Sequence, residues 1–316
     1  GSVSDVNAAL AAVAFTPSAN WDQDVTITTR IRDAADTGPA NGTITLDATA
    51  VNDAPALANG GNSVNFSAGS GTEIVISNSL TVLDVDDTTL ASATVSITGN
   101  FAVGQDVLAF TNDPAQHGNI TASYNATTGV LSLTSAGSTA TLAQWQAALR
   151  SVTFSNADAS PATGTRTISF VVNDSEANST AVTSSVNIVF APVIGNLDGD
   201  SVTYTEGGGA VAIDTGTAAT VADNDNTDFN GGNLTVSITA GGDAAQDILI
   251  IGGSILSGGT AGSDVTIGGV VIGTLANNIA AGNDLVINFN EDATPARVAS
   301  LLAAIQYSNN STDDPT

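Results

Sequence analysis

Asp84, Asp86 and Asp87 crowd into four consecutive positions, and Asp223, Asp225 and Asp228 repeat the theme 139 residues further along (84 to 223, 86 to 225). Residues two apart in an extended segment point to the same side, so Asp84 and Asp86, or Asp223 and Asp225, can reach one ion together. Calcium takes six to eight oxygens at about 2.3–2.6 Å from carboxylates and carbonyls. Clustered Asp in short loops, with no nitrogen or sulfur ligand nearby, is suited to it. The plain alternative is solvated turn residues in an acidic protein, because Asp is also a common turn former. The same two readings apply to Asp33 and Asp174.

The rest of the composition narrows the chemistry. The acidic residues are 27 Asp against 4 Glu, the basic ones are five Arg with no Lys, and the net charge is −26. Such a charge excludes general affinity for nucleic acid or for an anionic membrane surface. It leaves repulsion that bound cations would neutralise. With one His, no Cys and no Lys, nearly every nucleophile–base pair is missing, so catalysis is not expected. His117 has no second His or Cys to complete a transition-metal site. Trp21 and Trp145 adjoin a helix–strand unit, where core packing is expected rather than sugar stacking. Gly258–Asp264 is similar to a glycine-rich calcium roll but occurs once, out of register, and reads as a hairpin. Without Cys there are no disulfides, and no apolar run reaches the 18 residues a membrane span needs. The first residues lack a basic start followed by an apolar run, so no signal peptide is read there.

The elements that hold these loops are mostly strands. Val25–Ile31, Ala93–Ile97, Thr167–Val172 and Leu234–Ile238 alternate apolar and polar with β-branched residues, the period of half-buried strands. Gly, Asn, Asp and Ser clusters punctuate them at sandwich-like intervals. Asn125–Gly129 is expected to be a hairpin turn. One segment is different and occurs three times, at Val6–Phe15, Trp145–Phe154 and Val298–Tyr307, with starts 139 and 153 residues apart. Each copy reads as a short helix running into a strand that ends on an aromatic residue. Ser4, Thr141 and Thr294 are the expected N-caps. Thr141 and Gln144 form a capping box, and Pro295 takes the first turn. Superposing the copies divides the chain into residues 1–55, the back part of a module; 56–192, one complete module; and 193–316, the front part of a third.

Several markers recur in a shared order at a shared period. They are the linker Val51-Asn52-Asp53-Ala54-Pro55, the Asp84–Asp86 loop, Gly129–Leu133 leading into the Ala-Ala-Leu helix, and Gly164–Phe170 followed by Val172-Asn173-Asp174. On these the chain resembles the cadherin-like, calcium-binding Ig-fold repeats of giant bacterial adhesins exported by type I secretion. The resemblance implies an all-β fold of tandem Ig-like sandwich modules, each with one short helix between strands. It implies calcium at the module junctions, with Asn52 and Asp53 as linker ligands and Glu206 as an early-strand ligand. The second linker, Val189–Pro192, lacks Asn-Asp, and the middle module has Ala68 where a partner of Glu206 would stand. The 55/56 junction is therefore expected to hold calcium better than 192/193.

The function implied is mechanical: an extracellular, cell-surface extender whose partners are neighbouring repeats of the same chain. The alternative is a fibre subunit whose front part accepts the back part of another copy by strand complementation.

Overall fold

A computed structural model describes residues 2–311; Gly1 and the tail 312–316 of the third copy lie outside the described residues. The chain begins with helix α1 (Val3–Ala11) and the hairpin β1 (Val25–Thr29)–β2 (Gly42–Leu46). The complete module then supplies β3 (Ala56–Ala58), β4 (Ser63–Ser67), β5 (Ile74–Val75), β6 (Thr81–Leu83), β7 (Ser92–Gly99) and β8 (Asp106–Ala109). It continues with the one-turn helix α2 (Pro114–His117), β9 (Ile120–Asn125), β10 (Val130–Ser135), α3 (Leu142–Arg150), β11 (Thr153–Asn156), β12 (Gly164–Asn173) and β13 (Val182–Val189). The last part holds β14 (Val193–Gly195), β15 (Val211–Ala212), β16 (Thr220–Ala222), β17 (Asn233–Val236) and β18 (Asp247–Ile251). It ends with β19 (Asp264–Ile267), β20 (Val270–Leu275), β21 (Leu285–Phe289), α4 (Pro295–Leu302) and β22 (Ile305–Asn309). The protein is predominantly β. It divides into two compact units, one running to Ile188 and the other starting at Val189, so residues 2–55 do not separate from the module that follows them.

In the first unit β4-β13-β12-β7-β10-β9 form one sheet, antiparallel from β13 to β9, while β5-β11-β8 form a second and β3-β6 a pair. Alternating residues Ala93, Val95 and Ile97 of β7 and Ile168, Phe170 and Val172 of β12 are buried, as period two requires. Phe66 of β4 meets Phe154 of β11 edge to face, with ring centroids 5.3 Å apart. The expected hairpin forms between β9 and β10, where Asn125 Oδ1 accepts the N–H groups of Thr127 and Thr128.

The second unit repeats the plan. The β14-β16 pair matches β3-β6, and β15-β22-β18 matches β5-β11-β8; β17-β21-β20 stands where β7-β10-β9 stood, with β19 added. Tyr204 and Tyr307 reproduce the edge-to-face aromatic pair at 5.1 Å. Among the described residues of this unit nothing matches β12 and β13.

The recurring segment is helical in all three places. Thr141 closes a reciprocal capping box with Gln144, and Thr294 precedes Pro295 at the first turn without a side-chain cap bond. The first copy departs from expectation twice. Its N-cap is Ser2, not Ser4, because Ser2 and Asp5 form the capping box and draw Ser4 into the first turn. Its aromatic Phe15 ends no strand. Phe154 and Tyr307 each sit between two partner strands, whereas no partner strand borders Phe15 among the described residues. Phe15 stacks on Trp21 instead, at 5.1 Å. Trp145 is fully buried and donates from Nε1 to the Leu90 carbonyl at 3.0 Å, a packing role. His117 is not in an open polar loop as its neighbours suggest. It is buried, its Nδ1 accepts the Asp113 N–H, and its ring packs on Phe110.

Candidate metal centre and its linker latch

The Asp84 loop leaves β6 and is shaped locally. Asp84 Oδ1 accepts the N–H groups of Asp86 (3.2 Å) and Asp87 (3.1 Å), a side chain standing in for a turn carbonyl. This curl brings ligand oxygens of Asp84, Asp86 and Asp87 within 4.8 Å of one another. The linker closes on the loop from the other side, where the Asp53 backbone N–H donates to Asp86 Oδ2 at 3.0 Å. Asn52 donates from its side-chain amide to Asp174 Oδ2 at 3.0 Å, while Asp174 Oδ1 accepts the N–H groups of Glu176 and Ala177. The two linker residues thus reach the loop region, Asn52 through its amide and Asp53 through its main chain. Asp174 is both a turn former and an anchor for the linker. Its counterpart Asp33 binds Ala35 and Thr37 and forms the turn alone.

The charges at this loop are poorly balanced. Asp84 is held above the ordinary carboxylate range by burial and by the neighbouring carboxylate of Asp86. Asp86 is held below it, first by the Asp53 N–H and then by Asp84. Burial alone would raise Asp174, but the donors from Ala177, Asn52 and Glu176 outweigh it and lower its pKa. Asp84 Oδ2 is buried without a hydrogen-bond partner. Among the described residues no arginine bridges to any of these carboxylates. An all-oxygen set with an orphaned carboxylate oxygen fits a hard cation such as calcium.

The second loop repeats the framework with fewer charges. Asp223 Oδ1 accepts the N–H groups of Asp225 and Asn226 at 3.1 and 3.2 Å, and Asp225 Oδ1 accepts the Phe190 N–H at 2.9 Å. Phe190 stands two residues before Pro192 as Asp53 stands two before Pro55, so the same main-chain latch operates with a different side chain. Asn226 replaces Asp87, and no group of three carboxylates gathers here among the described residues. Glu206 is exposed in a turn followed by Gly207, whose φ is +65°. Asp228 caps the Asn230 N–H, and Asp200 is bonded to the Thr215 N–H. Burial and Asp223 raise Asp225, while Asp223 itself is lowered.

Sequence reading did not anticipate that the linker engages these loops through backbone N–H groups. The only signal was the shared distance from each latch residue to its proline. It also missed a second pair of equivalent sites, Asp106 and Asp247, both buried. Asp106 accepts from Ala102 N–H, Asn156 Nδ2 and the buried Arg166 guanidinium, at 2.7, 2.6 and 3.2 Å. Asp247 keeps the matching Asp243 N–H and Asn309 contacts and takes the Tyr307 hydroxyl where Asp106 takes arginine.

No family model matches the chain. A stretch of 159 residues, 49% of the chain, is 33% identical to Halomucin of Haloquadratum walsbyi; it spans 2% of that protein, a chain of several thousand residues. Among solved structures, one chain of a cohesin–dockerin complex from Clostridium thermocellum covers 43% of this chain and is itself covered completely, at 12% identity and a TM-score of 0.26. Domains 4–9 of the surface layer protein SbsC cover 85% of this chain, with 31% of that protein matched, at 14% identity and a TM-score of 0.18. The C-terminal domain of the Streptococcus agalactiae AgI/II polypeptide BspA covers 69%, with 73% of it matched, at 9% identity and a TM-score of 0.18. TM-scores this low do not establish a shared fold. No helix among the described residues is long and apolar enough to cross a membrane.

Proposed function

We propose that this chain is an extender segment of a large extracellular surface protein, built from Ig-like, cadherin-like modules in series and stiffened by calcium at the linker–loop junctions. The observation that carries this reading is the junction at Asp53 and Asp86. There a linker main chain is tied to a loop holding three carboxylates within 4.8 Å of one another. A cation at Asp84, Asp86 and Asp87 would relieve their repulsion and fix the loop that receives the linker. The Halomucin match supports the setting, because it places a related stretch inside a very long chain. The Asp223 loop has the same latch but one carboxylate fewer, so it serves as the weaker site. Partners are the adjoining modules.

The test is calorimetric melting of the whole chain with chelator, with millimolar calcium and with millimolar magnesium. Filling a site to ten times its dissociation constant stabilises a fold by about 1.4 kcal/mol, so calcium should raise the melting temperature and Asp84→Asn should abolish the larger part of the rise. Identical melting with and without chelator would remove calcium from the reading.

A further inference from the structure

We propose that β9 is a dimerisation edge: the β9 strands of two copies of this chain pair antiparallel about a two-fold axis at Ser123, joining their six-stranded sheets. The inference lies within the complete module and does not depend on cation binding.

β9 is the end strand of its sheet. Its inner side pairs with β10 in an unbroken register from Ile120↔Ser135 to Asn125↔Val130. Its outer side receives no main-chain hydrogen bond among the described residues. Open edges are normally blunted by charged side chains, proline, a bulge or a covering element. β9 reads Ile120-Thr121-Ala122-Ser123-Tyr124-Asn125, with no charge, no proline and no bulge. The second unit covers the same edge. There β20 stands in the place of β9 and takes β19 antiparallel through the turn at Gly268 and Gly269. In the complete module the connection from β8 to β9, residues 110–119, holds the one-turn α2 and no strand. The edge position accepts a strand, and this module does not supply one.

The charge distribution selects a second copy as the occupant. Residues 114–149 contain no Asp, Glu, Lys or Arg in a chain of net charge −26. An uncharged partner gains nothing from that neutrality. Another strongly acidic chain does, because like charges elsewhere hold it off, and a copy of this protein is such a chain.

The strand is also complementary to itself. Directly opposed residues of an antiparallel pair share a face of the sheet, so an axis at Ser123 sets Thr121 opposite Asn125 and Ala122 opposite Tyr124. Thr121, Ser123 and Asn125 are exposed on the outward face. A hydroxyl there meets an amide, and the row Thr94–Ser132–Ser123 continues into the same row of the other copy. On the inward face Ile120 is buried and Tyr124 is half-buried, its hydroxyl donating to the Asp106 carbonyl at 2.6 Å. Ala122 between them is exposed, and Tyr124 of the second copy would lie across from it. Asp113, the nearest preceding carboxylate, lies at the end where the other copy brings its uncharged turn 125–129. The contact uses the same surface on both copies, so it closes at two.

Sedimentation velocity of the whole chain in chelator, over a concentration series into the millimolar range, tests this. The expected result is a weak, reversible dimer, as suits an interface below standard size. Ser123→Asp and Ser123→Lys each place like charges face to face at the axis, on an exposed side chain that the fold does not need. Each should weaken association at least about tenfold, and an equal mixture of the two should recover a heterodimer. Ser123→Cys should cross-link on oxidation, because residues opposed at the axis lie within disulfide reach. Thr121→Cys should not, since the two copies of that residue stand about 13 Å apart along the strands. A wild-type chain that stays monomeric at every concentration overturns the proposal. So does association that survives both charged variants, or cross-linking of Ser123→Cys no faster than that of Thr121→Cys.

Discussion

The backbone N–H of Asp53 donates to the Asp86 carboxylate at 3.0 Å, and this one bond ties a linker to an acidic loop 33 residues away. Phe190 makes the same bond to Asp225 at 2.9 Å. The side chain at the latch position is free to change because the main chain does the binding.

Exchanging Asp53 for Ala should therefore leave the latch in place and change melting little. Replacing its acceptor, Asp86→Ala, removes the only side-chain oxygen that receives the linker N–H. Asp86 is exposed, so the loss should be modest, but larger than that of Asp53→Ala. Chemical unfolding of the two variants, compared in chelator, checks the order.

The pH dependence in chelator has two windows. Asp84 and Asp225 are raised by burial and by a neighbouring carboxylate, so the stability they give is complete below the unfolded value of 3.8 and is lost as pH rises through their folded values. Asp86, Asp174, Asp223 and Asp247 are lowered, so their contribution is present above 3.8 and is lost as pH falls through their folded values. The chelated protein should lose stability toward neutral pH through Asp84 and Asp225 and toward acid through the lowered carboxyls, and calcium should reduce the first loss. Melting curves across pH with and without calcium measure this.

The buried pair Asp106–Arg166 predicts a large asymmetry. Removing one partner, as in Arg166→Met, strands a charge that is almost wholly enclosed, at a cost of about 3–5 kcal/mol. Removing both partners with Asp106→Leu and Arg166→Met should cost clearly less than the sum of the two single changes. Denaturant midpoints for the three variants test it.

At the equivalent site, Tyr307→Phe deletes the hydroxyl that supports Asp247. Burial pushes the Asp247 carboxyl up, and the donors Tyr307, Asp243 N–H and Asn309 together bring it down. Loss of the hydroxyl should destabilise the second unit by about 1–3 kcal/mol at neutral pH. The deficit should shrink as pH falls through the folded Asp247 value, where the carboxyl protonates. Acid titration followed by circular dichroism reads the difference between variant and wild type.

The strands and helices were legible because their signals are local. Val25–Thr29, Ser92–Gly99 and Gly164–Asn173 alternate residue by residue, and Thr141 with Gln144 spells a helix start within four positions. The clustering of Asp84, Asp86 and Asp87 was legible for the same reason, since Asp84 curls its own loop through the next two N–H groups. What depended on distant partners was not. The Phe15 segment is similar in sequence to the Phe154 segment but has no neighbouring strand among the described residues, and so it forms none. Val64–Phe66 lies in a ladder, whereas Val202–Tyr204 lies in none. The linker latch at Asp86 and the choice of arginine or tyrosine for Asp106 and Asp247 were likewise set by chains arriving from 33 to 60 residues away. Periodicity and caps are written into neighbouring residues. A ladder, a buried charge and its counterion exist only once the fold brings both halves together.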